Sequence, residues 1–118
     1  MSKRDRHIRI GIKENCRLAD LAAILRAYTV EAGNGTSSTS IPIHQLPGWG
    51  INPPGEQPTF SRTSRAFQCG SGEIWLRAPV PVTLSAPIEI WVDIDERTWV
   101  VKMDPGVEHG DTFVGMLD

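Results

Sequence analysis

The sequence predicts an α+β domain: a small, largely antiparallel sheet of about four to five strands, one main helix over residues 16–32 packed on one face, and a long Gly/Pro-rich loop. Three observations point there. Residues 6–13, RHIRIGIK, alternate apolar and polar with period two. Residues 15–33 change to a helical period. From residue 72 onward alternation returns, in runs separated by prolines and turn residues.

In the first run Ile8, Ile10 and Ile12 point one way and His7, Arg9, Gly11 and Lys13 the other, as in a half-buried strand. The helix rests on Leu18, Leu21, Leu25 and Tyr28, spaced i, i+3, i+7 and i+10 and flanked by Ile24. Asn15 is the expected N-cap and Gly33 the expected stop. The β-branched Thr29 and Val30 weaken the last turn. Residues 33–66 carry Gly33, Gly35, Gly48, Gly50 and Gly55 with Pro42, Pro47, Pro53, Pro54 and Pro58. They read as a long loop or arm, with at most a short strand in SIPIHQL; connections this long are usually functional. EIWLRA is a strand. Pro79, Pro81 and Pro87 make PVPVTLSAP extended but unpaired, because proline donates no ladder hydrogen bond. PIEIWVDI and TWVVKM form a hairpin, and the turn-rich tail ends in a short helical turn.

A chain of 118 residues, 40% apolar and 22% charged, can close one core, so residues 1–118 are expected to be a single domain. A net charge of −2 gives no general attraction to nucleic acid or anionic membrane. The charge is uneven along the chain. Residues 1–30 hold seven basic and three acidic groups, and residues 86–118 hold two basic and eight acidic ones. These segments either lie side by side, meet between copies of the chain, or leave the basic N-terminal arm for nucleic acid. Cys16 and Cys69 form no C-x-x-C pair, so no zinc knuckle or redox motif is expected. The N-terminal basic residues are followed by no signal-peptide core, and no apolar run reaches the ~18 residues of a bilayer span. The expected location is cytoplasmic, with reduced thiols. Asn34-Gly35-Thr36 reads as a turn.

The hairpin concentrates the acidic groups. Ile88, Ile90, Val92 and Ile94 share one face, which leaves Glu89, Trp91, Asp93 and Asp95 on the other. A two-residue loop, Asp95-Glu96, would set Glu89 opposite Lys102. Glutamate suits the positive φ of such a turn poorly, so a four-residue loop through Thr98 is the expectation. Trp91, stranded among carboxylates, is either covered by the long loop or part of a partner surface; Trp49, in LPGWGINPPG, poses the same choice. Trp75 and Trp99 read as sheet and core residues.

Catalytic patterns are thin. CGSGE around Ser71 is not a nucleophile elbow, the histidines show no metal-ligand spacing, and the G-x-G triplets open no dinucleotide-type helix. The expectation is a non-enzymatic interaction or assembly protein: an accessory subunit, an inhibitor or a virus-encoded protein. It would need no cofactor and would bind a protein partner or copies of itself, with no nucleic acid and no membrane. Trp49, Trp91, Arg62 and Arg65 are the candidate contact residues. One alternative is a small-molecule or nucleotide binder, with its pocket between the long loop and the acidic face. Another is a metal-dependent hydrolase using Asp93, Asp95, His109 and Asp111, since hard cations need gathered oxygen ligands.

Overall fold

The computed structural model describes residues 4–12, 16–49, 59–60 and 65–118. In chain order the elements are β1 (Arg4–Ile12), α1 (Leu18–Ala27), β2 (Thr29–Gly33), β3 (Thr39–Pro42), β4 (Thr59–Phe60), β5 (Arg65–Cys69), β6 (Gly72–Arg77), β7 (Ile88–Ile94), β8 (Arg97–Met103) and β9 (Thr112–Leu117). Single 3₁₀ turns follow Asn34 and Pro42. All strand pairs are antiparallel. No helix among the described residues is long and apolar enough to cross a membrane.

A mostly antiparallel chain with one helix agrees with the sequence reading, but there are two sheets rather than one. In the first, β4 and β5 both pair with one edge of β1, followed by β7 and β8; the second runs β3-β2-β6-β9. Their inner faces meet in one core. Ile8, Ile10, Ile12, Ile88, Ile90, Val92 and Ile94 come from the first sheet, and Val30, Ala32, Ile41, Ile74, Leu76 and Leu117 from the second. The apolar face that the sequence assigned to a covering helix is therefore covered mainly by a second sheet. At one corner β8 adjoins β9, where the Trp99 indole lies over Gly115 so closely that a Cβ there would strike it. At the other, β3 adjoins β5: the Thr39 hydroxyl donates to the Gln68 carbonyl and the Gly70 amide to the Ser37 carbonyl at 2.8 Å. Basic β1 lies beside acidic β7, with Arg9 opposite Asp93, so much of the charge asymmetry along the chain is compensated within the fold.

The helix is shorter than its periodicity suggests. It ends at Ala27, where the Tyr28 amide closes the last turn on the Ile24 carbonyl, and Thr29–Gly33 continues as β2. The β-branched pair that weakens a helix end here starts a strand, because β6 and β3 pair with both its edges. Gly33 ends that strand at φ +114°, with Ser37 and Ser38 main chain where a Cβ would stand. The buried stripe of α1 is Leu21 and Ile24, continued by Tyr28 beyond the helix; Leu18, expected inside, is 63% exposed. Arg17 occupies the N-cap, and Asn15 lies outside the described residues. Asp20, buried in the first turn, accepts the Ser85 amide at 3.1 Å and hydroxyl at 2.8 Å, tying the helix to the segment before β7. The chain end is not a helical turn but β9.

Residues 33–49, part of the segment read as a loop or arm, lie against the core through Ile41, Ile43 and Leu46. Its glycine- and proline-richest part, 50–58, lies outside the described residues.

The hairpin uses the two-residue loop, not the four-residue one. Ile94 pairs with Arg97 and Glu89 with Lys102, leaving Asp95 and Glu96 at φ +52° and +69°. Conformations of this kind cost about 1 kcal/mol per residue unless something holds them. Asp95 is held three ways: its Oδ1 accepts the His7 amide at 3.1 Å, its Oδ2 accepts Arg6 Nη1 at 3.0 Å, and its own amide donates to the His7 carbonyl at 3.2 Å. Arg6 is 1% exposed and also donates Nη2 to the Asp118 carbonyl. One guanidinium thus fastens the β7–β8 turn and the end of β9 to β1.

Replacing Arg6 by Ala empties a buried position and removes the ion pair to Asp95, whose side chain is 31% exposed, and is expected to cost about 2–4 kcal/mol in urea unfolding. Arg6→Met combined with Asp95→Asn removes both charges and should recover most of that loss. Glu96→Gly relieves the second positive φ and should raise stability by about 1 kcal/mol, read from the urea midpoint.

Candidate functional site

The core is filled, and among the described residues the outer faces of the two sheets are the broad exposed surfaces. On the first sheet, alternation turns His7, Arg9 and Gly11 of β1 outward, beside Trp91 and Asp93 of β7. His7, Arg9, Asp93, Asp95 and Glu96 line a cleft of about 470 Å³. Arg9, Gly11, Trp91, Asp93 and Thr98 line a second of about 250 Å³, adjoining it through Arg9 and Asp93. Gly11 pairs with Trp91 across the two strands. Trp91 is half-buried and donates Nε1 to Glu89 Oε1 at 3.3 Å.

On the second sheet, Glu73, Trp75 and Arg77 face outward between the inward Ile74 and Leu76. Phe113 and Met116 of β9 join them, although three positions apart on one strand. A β-bulge explains this: Ile74 pairs with Gly115 and Trp75 with Phe113, so Val114 is inserted and both large side chains emerge on one face. The Phe113 ring meets Trp75 edge-to-face at 5.3 Å, and the Arg77 guanidinium stacks over Trp75 at 4.4 Å. Arg77 also donates Nη2 to Glu31 at 3.1 Å and Nη1 to Asp111 at 3.4 Å. Its hydrogen bond to Glu31 is the first of the causes that raise its pKa. Phe113 is 46% and Met116 56% exposed.

The candidate contact residues fall in different places. Trp49 packs against the core and donates Nε1 to the Ile43 carbonyl at 2.9 Å, so it plugs into its own fold. Trp91 lies on the first outer face. Arg65 starts β5 and donates to Gln45 Oε1 at 3.4 Å; Arg62 lies outside the described residues. Trp75, read from sequence as a sheet and core residue, is in a strand but on its outer face. Its signal was present: it is out of phase with Ile74 and Leu76, as Trp91 is with its isoleucines. Trp99 does pack against the core.

The four candidate metal ligands do not converge. Asp93 and Asp95 share the larger cleft, but Asp95 is spent on Arg6 and the His7 amide. Asp111 accepts the Ala78 amide at 2.8 Å, and His109 Nε2 bonds the Asp104 carbonyl at 2.7 Å. Asp111 and His109 precede β9, whereas Arg6 and Asp95 sit at its far end, beside Asp118. Six strand residues separate the two pairs by ~20 Å. Among the described residues no group of three or more His, Cys, Asp or Glu could hold an ion.

Neither thiol is activated. Burial, with Asp20 adding to it, pushes Cys16 up to about 11, and burial raises Cys69 against the pull of Arg6. Burial likewise pushes Tyr28 up to about 12, its hydroxyl facing Met103 Sδ at 4.0 Å. In comparison with known proteins, the chain matches no family model, no curated protein and no solved structure.

Cys16 and Tyr28 both resist ionisation in the fold, so the unfolded chain loses its protons first. The unfolded chain then binds fewer protons, and stability falls as pH rises. The loss should begin near pH 9 and continue towards 12, on the order of 5 kcal/mol for the two groups together, measurable by urea melts across that range. Thiol alkylation at pH 8 should be slow in the native chain and fast in urea.

Proposed function

We propose that the chain is a non-enzymatic binding module that acts through a sheet face on a macromolecular partner or on further copies of itself. The observation that carries this is the outer face of the β3-β2-β6-β9 sheet. Its Phe113 and Met116 remain largely exposed although the core beneath is closed without them. Apolar groups ringed by Glu31, Glu73, Arg77 and Asp111 have the composition of an interface centre with a polar rim.

A second reading rests on the 470 Å³ cleft of the other sheet. Its volume suits a small ligand, with Arg9 and His7 on one wall and Asp93 and Glu96 on the other.

The double variant Phe113→Ser, Met116→Ser separates the two readings. Both side chains are about half exposed and lie outside the core, so the melting temperature should change by no more than a few degrees. Association, scored by sedimentation of the chain alone and with native extract, should fall at least tenfold. Association unchanged in this variant would remove the face from consideration. A thermal shift by a small ligand that disappears in Asp93→Asn would instead favour the cleft.

A further inference from the structure

Along β6 the outward residues run acidic, aromatic, basic: Glu73, Trp75, Arg77. This order reverses its own sign from end to end. A second copy laid face to face, with its β6 antiparallel to the first, brings Glu73 of each chain over Arg77 of the other and Trp75 over Trp75. The two-fold axis then lies in the plane of the interface, perpendicular to the strands, and the contact is isologous. The alternative axis, parallel to the strands, would set Glu73 on Glu73 and Arg77 on Arg77, two like-charge contacts; the chosen axis leaves one, Glu31 of β2 on its counterpart beside Trp75, and there each Glu31 already accepts the Arg77 of its own chain.

We infer that the outer face of the β3-β2-β6-β9 sheet is a self-association surface, and that the partner it takes is a second copy of this chain stacked antiparallel across Trp75. The inference rests on the binding-module reading and names the partner. Three further features fit it. Arg77 has five N–H donors, of which Nε, Nη1 and Nη2 each use one on Glu31 or Asp111, leaving two for an incoming carboxylate. Its existing bonds and its stacking on Trp75 hold the guanidinium in place, which lowers the ordering cost of a contact. Glu73, by contrast, has one long bond, from the Trp75 indole at 3.4 Å, and is exposed. Phe113, paired with Trp75 across the bulge, falls beside the axis and meets its counterpart, adding aromatic contact at the centre.

Edge-to-edge pairing is the other common route to a β dimer, and here it is disfavoured. β9 and β3, the outer strands of this sheet, are covered at the corners by β8 and β5. The face itself is small. Four strands about 4.8 Å apart and about six residues long span roughly 19 by 20 Å, below the ~800 Å² per partner of a standard stable interface. The association is therefore weak and concentration-dependent, and it depends on the two charge pairs for orientation.

The test is sedimentation velocity on the full chain from micromolar to near-millimolar concentration, with a thermal melt of every variant. The wild-type mass should rise from one chain towards two. Glu73→Arg and Arg77→Glu should each weaken this at least tenfold. Mixing the two single variants should restore it, because every cross-contact is then opposite in sign. If Arg77→Glu fails to fold, Glu73→Arg and Phe113→Ser, both at exposed positions, serve in its place, and both should sediment as one chain. A wild-type mass that stays at one chain throughout overturns the inference, as does association that survives Glu73→Arg. If the wild type is monomeric but captures a protein that the Phe113→Ser, Met116→Ser variant does not, self-association falls while the binding-module reading stands. If it neither self-associates nor captures anything, both fall.

Discussion

The structure depends on one buried cation. Arg6 lies in phase with Ile8, Ile10 and Ile12, so the pleat carries its side chain inward with theirs. A guanidinium inside an apolar core is costly unless its charge and donors are met. Asp95 supplies the opposite charge, and the main chain of Asp118 accepts a further bond. Three segments remote in sequence are thereby held at one point: the first strand, the β7–β8 turn and the end of the last strand. Among the described residues Nε has no hydrogen-bond partner. The arrangement specifies a register at some expense in stability.

That register decides where binding surface is available. With the turn anchored to β1, β7 lies beside β1 and β8 comes against β9, which shelters both outer strands at that corner. A sheet whose edges are covered cannot recruit a partner by adding a strand, so the flat faces are left. The two faces differ in chemistry. One mixes carboxylates, a histidine and an arginine around clefts beside a half-buried tryptophan. The other gathers tryptophan, phenylalanine and methionine behind a charged rim, a composition better suited to a broad macromolecular contact than to enclosing a ligand.

Within the candidate sites, the legible part was the part governed by alternation. Trp91 breaks the polar run opposite the isoleucines, and it does lie on an outer face. Trp75 follows the same logic one strand earlier, out of phase with Ile74 and Leu76, and it too lies on an outer face. Met116 and Phe113 could not be placed together by counting, because their shared face is made by a bulge, and a bulge is a property of two strands. Asp93, Asp95, His109 and Asp111 are close in sequence terms but are split by the length of β9.

The sequence alone determined the alternating strands β1, β6, β7 and β8, the presence of one helix, and the inward set of isoleucines. These follow from periodicities of two and 3.6, which are local and are written in neighbouring residues. Tertiary structure decided that Thr29–Gly33 is strand rather than helix, that the tail is a strand, that Asp95 and Glu96 tolerate a tight turn, and that a second sheet, not the helix, closes the core. Each of these depends on a hydrogen bond or ion pair between residues far apart in the chain. No local window contains both partners of such a contact.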